Sequence, residues 1–297
     1  MKSVISIQNL SKSFGGHKAV SGLSFDVHDG EIFAFLGTNG AGKTTTLRCL
    51  LDIYQPDSGT LLINGQKYSH ELSSIIGYLP EERGIYTRAK VLELFLYFAR
   101  LRGITGKAAL NLSMAYLERV GLAEHKQKTI TQLSSGMQQK VQLVLAFLHD
   151  PQILILDEPF KGLDPLNRQL FIDILQEKRE TGTTILYSTH IIDDAQKLTD
   201  RLVIIQNGKR KAYGRMQEVR SRFGTKTMQL EFQGKLPGSK LFKARVTANT
   251  AEITPETGVT TAEILQELIK SSLKIVSFKL DYPSLNEIFI KVTAQDV

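Results

Sequence analysis

The sequence predicts an α/β fold: a largely parallel sheet, an inserted helical subdomain, and a small C-terminal α+β accessory domain. Three observations lead there. Short β-rich runs alternate with helical stretches through residues 1–222, the pattern of a parallel sheet with helices on its faces. Three helical stretches follow one another between Lys90 and His149 with no strand among them, which marks a helical subdomain over about 86–150. After Phe223-Gly224 the pattern changes to short strands with two helices, which sets off an α+β domain over 225–297.

The elements follow in order. Met1 to Gln8 alternates apolar and polar residues without the apolar core of a secretion signal, so it reads as a first strand. Ile32 to Leu36 is an apolar strand, and Lys43 to Ile53 has a helical pattern. Leu61 to Ile63 and Ile75 to Leu79 read as strands, the former ending at Asn64-Gly65, a pair that tolerates positive φ and signals a hairpin turn. Helices are expected over Lys90–Arg102, Ala108–Val120 and Gly136–His149. Ile153–Leu156 is a strand, and Pro165–Glu180 a helix with proline at its first position. Thr184–Ser188 and Leu202–Gln206 are strands, the second followed by Asn207-Gly208. Beyond the boundary, strands are expected at Met228–Phe232, Lys243–Thr247, Glu252–Thr254 and Lys274–Leu280, and helices at Thr261–Ser271 and Leu285–Val292.

Composition excludes several classes. With 42% hydrophobic and 23% charged residues among 297, the chain is not disordered as a whole. Its longest apolar runs, Leu94 to Ala99 and Leu143 to Leu148, fall far short of the roughly 20 residues of a spanning helix. A lone cysteine, Cys49, excludes an intrachain disulfide and a Cys-rich zinc site, and a cytoplasmic protein is expected. The net charge is +7, and six basic residues between Lys209 and Arg222 face one acid, Glu218. A solvated face is the leading reading of that strip, ahead of an anionic membrane surface or nucleic acid.

Chemistry enters at Gly37-Thr38-Asn39-Gly40-Ala41-Gly42-Lys43-Thr44-Thr45, which fits G-x4-G-K-[ST] between a strand and a helix. Glycines let backbone N–H groups approach phosphate oxygens, and the helix N-terminus adds unpaired donors. Lys43 can reach the β- and γ-phosphates and the Thr44 hydroxyl can ligate Mg²⁺, so the core is expected to be a P-loop NTPase. The strand Ile153–Leu156 ends in Asp157-Glu158. Asp157 can hold the metal, and Glu158, one residue further, can accept a proton from an attacking water. Leu133-Ser134-Ser135-Gly136-Met137-Gln138 opens a helix with a serine as N-cap, Gly162-Leu163-Asp164 follows the acidic strand, and Ser188-Thr189-His190 closes the next one.

Taken in this order, the motifs resemble the ATP-binding subunits of bacterial ABC transporters. The resemblance makes Leu133 to Gln138 the signature, with Ser134 and Gly136 touching the γ-phosphate, and Gly162 to Asp164 the D-loop, which adds Asp164 to the nucleotide-binding set. It makes His190 the switch histidine, a catalytic partner of Glu158, and Phe14 the aromatic that stacks on adenine. It implies ATP and Mg²⁺ as cofactors and a head-to-tail dimer, homo- or heterodimeric with another such subunit. Transmembrane permease partners are also implied, with the chain peripheral on the inner face of the membrane. Departures stand at Ser135 and Met137, at Lys161 in place of the D-loop serine, and at Glu81 in place of the Q-loop glutamine. Glu81 is expected to join Thr44 and Asp157 at the metal and, without metal, to have its pKa raised by like-charge crowding. The run Leu79-Pro80-Glu81-Glu82-Arg83-Gly84, the run Gly136 to Lys140 and the tail Ser284 to Phe289 look most like efflux-type subunits related to sodium and antibiotic exporters.

The function expected is therefore ATP hydrolysis that powers export through membrane-spanning partners. The alternative is a non-transport ABC ATPase acting on ribosomes or nucleic acid. One phosphate loop and no long coiled-coil insertion speak against it, so no nucleic-acid partner is expected.

Overall fold

The apolar runs that lead to the active-site motifs are buried on both faces, as strands between two helical layers must be. In the computed structural model, which describes residues 2–294 apart from 83, 85, 224–226, 272 and 282, β1 (Ser3–Phe14), β2 (His17–His28) and β3 (Ile32–Gly37) come first. Helix α1 (Lys43–Leu50), β4 (Ser58–Ile63) and β5 (Ile76–Leu79) follow. The helical stretch is α2 (Val91–Leu101), α3 (Gly106–Arg119) and α4 (Ser135–Phe147). The first unit then runs through β6 (Ile153–Asp157), α5 (Pro165–Glu180), β7 (Thr184–Thr189), α6 (Ile192–Leu198), β8 (Arg201–Gln206) and β9 (Lys209–Arg215).

The main sheet has the order β5-β6-β7-β3-β8-β9, parallel from β5 through β8. Leu36 lies opposite Thr189, and Asp157 opposite Ser188, so the phosphate loop, the acidic pair and the histidine turn leave the sheet side by side at one carboxyl edge. That edge is where open parallel sheets bind ligands.

Two local expectations are corrected. β4 does not join the parallel sheet; it pairs antiparallel with β1, whose other neighbour is β2, in a separate three-stranded sheet. The Gly15-Gly16 turn, with φ of 53° and 85°, closes β1 onto β2 too tightly for any crossover. Helix α1 stops at Leu50, short of Ile53, because Asp52 adopts a left-handed φ of 57°. The basic strip leaves Lys209, Arg210, Arg215 and Arg222 exposed, in keeping with a solvated face. Arg210 donates to Ser24 O at 2.6 Å and lies 5.5 Å from the Tyr213 ring centre, so this part of the strip ties β9 to β2.

The chain divides into compact units at Met1–Gly214 and Arg215–Val297, earlier than the boundary at Phe223-Gly224 that the sequence suggested; Gly224 itself lies outside the described residues. In the second unit α7 (Met216–Phe223) packs against α9 (Leu285–Thr293). Strands β10 (Thr227–Gln233), β11 (Phe242–Thr247), β12 (Thr250–Pro255) and β13 (Lys274–Asp281) form an antiparallel sheet of order β11-β12-β10-β13. Met228, Leu230 and Phe232 on one face of β10 pack with Ile264 and Leu268 of α8 (Thr261–Lys270). Ser284 and Glu287 of the tail run form a reciprocal capping box that starts α9.

Helix α4 meets the main sheet at Gly77 of β5, where a Cβ would come 1.9 Å from Ala146 O and 2.7 Å from Leu154 Cδ2. Gly77→Ala is therefore expected to destabilise the chain by about 2–3 kcal/mol, read as a lower urea midpoint. Gly238→Ala, where nothing lies within 4 Å, should shift it by less than about 0.5 kcal/mol.

Candidate active site

The phosphate loop is held from behind by packing that only glycine permits. Gly42 caps α1 at φ 103°, and a Cβ there would lie 2.4 Å from Ala19 O of β2. A Cβ on Gly208 would meet the same carbonyl at 2.7 Å. Gly208 N donates to Ala41 O at 3.1 Å, and Ser21 N donates to Gly208 O at 3.0 Å. The Asn207-Gly208 turn is thus more than a hairpin: it locks β2 against the back of the phosphate loop. Its outer residues Thr38, Asn39 and Gly40 are exposed, while Ala41, Gly42 and Lys43 are buried and Thr44 and Thr45 half-buried.

Lys43 Nζ donates to Gly37 O at 2.8 Å and Thr38 O at 3.2 Å, and lies 3.3 Å from Glu158 Oε1. Both partners are nearly inaccessible, at 6% and 5% exposure, so each ion requires the other. Glu158 Oε2 is 2.9 Å from His190 Nδ1. Glu158 also has φ 50°, rare for a non-glycine residue; the turn is fixed by its N–H donating to Ser188 Oγ at 3.1 Å. Ser188 in turn donates to Asp157 Oδ1. Asp157 Oδ2 is buried with no hydrogen-bond partner, and burial raises this carboxyl above the usual range, with Glu81 and Glu158 adding to the rise.

Glu81 lies beside Thr44, whose Oγ1 donates to its Oε2 at 3.3 Å. Its electrostatics reverse the expectation. Lys161 Nζ lies 2.8 Å from Glu81 Oε1, and this hydrogen bond holds the carboxyl below the ordinary range. Like-charge crowding falls on buried Asp157 instead. The adjacent Glu82 is anchored to α1 by Arg48, at 2.9 Å, while Arg83 of the same run lies outside the described residues.

The remaining expected residues are arranged around this centre. Phe14 is exposed, with its ring edge-on to Tyr54 at 5.4 Å and Lys12 Nζ 5.2 Å from its centre. Ser134 caps α4, accepting from Met137 N at 3.3 Å, and a Cβ on Gly136 would lie 3.2 Å from Gly162 O. Among the described residues no hydrogen bond joins this signature segment to the phosphate loop of the same chain. Asp164 caps α5, accepting from Leu166 N at 3.1 Å and Asn167 N at 3.0 Å, which keeps its carboxyl low. Residues the sequence reading left without a role include Ser188, and Gln139, which donates to Pro159 O at 2.8 Å.

A buried lysine at a helix start, a carboxylate pair at the end of a parallel strand and a histidine beyond the next define a P-loop nucleotide-binding protein. A family model described as ABC transporter matches residues 20–161, and one described as the C-terminal domain of DrrA1-3-like ATP-binding proteins matches residues 214–293. The uncharacterized ABC transporter ATP-binding protein YhaQ of Bacillus subtilis is 35% identical over 97% of this chain and 98% of its own. A Nod factor export ATP-binding protein I of Burkholderia lata is 38% identical over 71% of this chain and 70% of its own. The solved structure of an ATP-binding subunit of an ABC transporter superposes with a TM-score of 0.69 at 31% identity, covering 74% of this chain and 93% of that one. The chain belongs to the ATP-binding proteins of ABC transporters. Such subunits bind ATP and work with transmembrane partners; here, among the described residues, no helix is long and apolar enough to cross a membrane.

Gly42→Ala should weaken ATP binding at least about tenfold while the chain stays folded by circular dichroism, because the loop must open to relieve the contact with Ala19 O. Titration calorimetry checks this.

Proposed function

We propose that this chain is a Mg²⁺-dependent ATP hydrolase at the inner face of the cell membrane, powering export through transmembrane permease subunits. It would work as a head-to-tail dimer, with a second copy or with another ABC ATP-binding subunit. The observation that carries the catalytic part is the line from Lys43 through Glu158 to His190. Phosphate at the loop offers Lys43 a new anionic partner, which frees Glu158 Oε1 to accept a proton from the attacking water. His190, on Oε2, keeps that carboxylate aimed. Backbone N–H groups of the phosphate loop at the head of α1 receive the phosphates, and the exposed face of Phe14 is the place for adenine.

The donor set fits Mg²⁺. Asp157 Oδ2 is buried and unpartnered, and with Thr44 Oγ1 and Glu81 it offers only oxygen ligands, which a hard cation favours. Bound there, Mg²⁺ would offset the charge on the phosphate oxygens. Ser134 and Gly136 are read as contacts to the nucleotide of the partner subunit, since they lie at the start of a helix whose head makes no hydrogen bond to the phosphate loop of its own chain among the described residues. Asp164 serves the same interface through the turn that it caps. Export is supported by the Nod factor export relative.

Glu158→Gln is expected to keep ATP binding and lose about 10²–10⁴-fold in turnover, since an amide cannot take the proton. ATP should then accumulate a dimer of the mutant, seen by sedimentation; near-normal hydrolysis would refute the assignment. Composite sites have their own test. With Ser134→Ala in one subunit and Lys43→Ala in the other, both changes fall in one of the two sites and the second keeps its motif residues. With both in one subunit, each site is damaged once, so the two defined dimers should differ in nucleotide occupancy.

A further inference from the structure

Two positions where the sequence departs from the family pattern, Glu81 and Lys161, meet. Lys161 Nζ lies 2.8 Å from Glu81 Oε1, and the other Glu81 oxygen accepts from Thr44 Oγ1 at 3.3 Å. An ammonium on the loop after β6 therefore stands one carboxylate away from the hydroxyl at the head of α1. Neither member is a core residue, at 56% and 36% exposure, so the pair is not needed to fold the chain. Its position is the informative feature. Three carboxylates, Glu81, Asp157 and Glu158, converge where phosphate must enter, and Glu158 is offset by Lys43. Lys161 does the same for Glu81, while Asp157 Oδ2 has no hydrogen-bond partner. The loop that carries Lys161 also touches the signature helix, with Pro159 O accepting from Gln139 Nε2 at 2.8 Å and Gly162 O 3.2 Å from where a Cβ on Gly136 would lie.

We propose that Lys161 is a positioning residue that holds Glu81 against Thr44 and stands in for the divalent cation until a metal–nucleotide complex arrives. Glu81 then exchanges the ammonium for the metal, and Lys161 is released together with the loop that contacts the head of α4. Metal occupancy in the phosphate site is thereby coupled to the segment that borders the signature. This rests on the reading of Glu81 as a metal-facing residue.

The test is ATP affinity of the full-length chain, measured by calorimetry in EDTA and across a Mg²⁺ titration. The variants are Lys161→Met, Lys161→Arg, Glu81→Gln, and Glu81→Gln combined with Lys161→Met, each checked for an unchanged melting curve. Lys161→Met should weaken ATP binding in EDTA by about two- to fivefold, the range of a partly exposed ion pair. It should leave affinity at saturating Mg²⁺ unchanged, so that the enhancement by Mg²⁺ grows by the same factor. Lys161→Arg should restore wild-type values, and in the Glu81→Gln background Lys161→Met should no longer alter the enhancement. Equal weakening with and without Mg²⁺, or additive effects of the two substitutions, would overturn the role of Lys161. If Glu81→Gln shifts the Mg²⁺ titration and Lys161→Met does not, Lys161 alone loses its role. If Glu81→Gln leaves the titration superimposable on wild type, the metal-facing reading of Glu81 falls, and this proposal with it.

Discussion

The carboxyl edge of the main sheet is organised around one requirement, that the ammonium of Lys43 be buried without being left unpaired. An isolated charge in that position would cost several kcal/mol, more than a domain of marginal stability tolerates at one site. The structure meets the requirement with two carbonyls of the phosphate loop and the carboxylate of Glu158, the residue after β6. That carboxylate must come from two strands away, because β7 lies between β3 and β6 in the sheet. Glu158 reaches across only because its backbone turns left-handed at the strand end, and Ser188 of the intervening strand holds the turn. The same serine orients Asp157, so the register between β6 and β7 sets both carboxylates.

A second constraint acts from behind. The loop around Lys43 is not self-supporting; β2 and the Asn207-Gly208 turn close on it through approaches of under 3 Å to any added Cβ. Those contacts bring the antiparallel sheet and the last strands of the parallel sheet to bear on the position of one helix start. Side chains of both sheets and of α1 share one core, which includes Ile5, Phe33, Leu47 and Val203. A substitution on β2, which itself carries no motif residue, therefore acts directly on the phosphate loop.

The sequence made the motif-bearing elements legible and left the links between them obscure. The phosphate loop, the Asp157-Glu158 strand end and His190 each carry a local signature, because a phosphate cradle needs glycines and a buried strand must end before a charge. The parallel order followed from alternation, since runs such as Ile153–Leu156 are too apolar for a half-exposed strand. β2 escaped because its polar residues interrupt the alternation, and β9 because its charges read as surface. The role of Ser188 depends on a register that no local pattern encodes. Asp164 shows the converse: its place in a motif suggests a ligand contact, while its carboxylate is engaged in capping α5. The Glu81–Lys161 pair joins residues far apart in sequence, and each alone reads only as an isolated departure.

The balance of charge at the edge gives the departures a common sense. Glu81, Asp157 and Glu158 are three acids, and two ammonium groups, Lys43 and Lys161, are paired with two of them. A nucleotide triphosphate brings several further negative charges into the same space. A glutamine in place of Glu81 would remove one acid and its ion pair with Lys161; a serine in place of Lys161 would take the ammonium from Glu81, beside a carboxyl already raised by burial and, further, by its acidic neighbours. The two residues are therefore electrostatically interdependent even though each is tolerable on exposure alone. What remains unbalanced is Asp157, whose buried oxygen has no hydrogen-bond partner. Side-chain ammonium groups are already committed there, so a compact divalent cation held at that oxygen would supply the positive charge that the edge lacks.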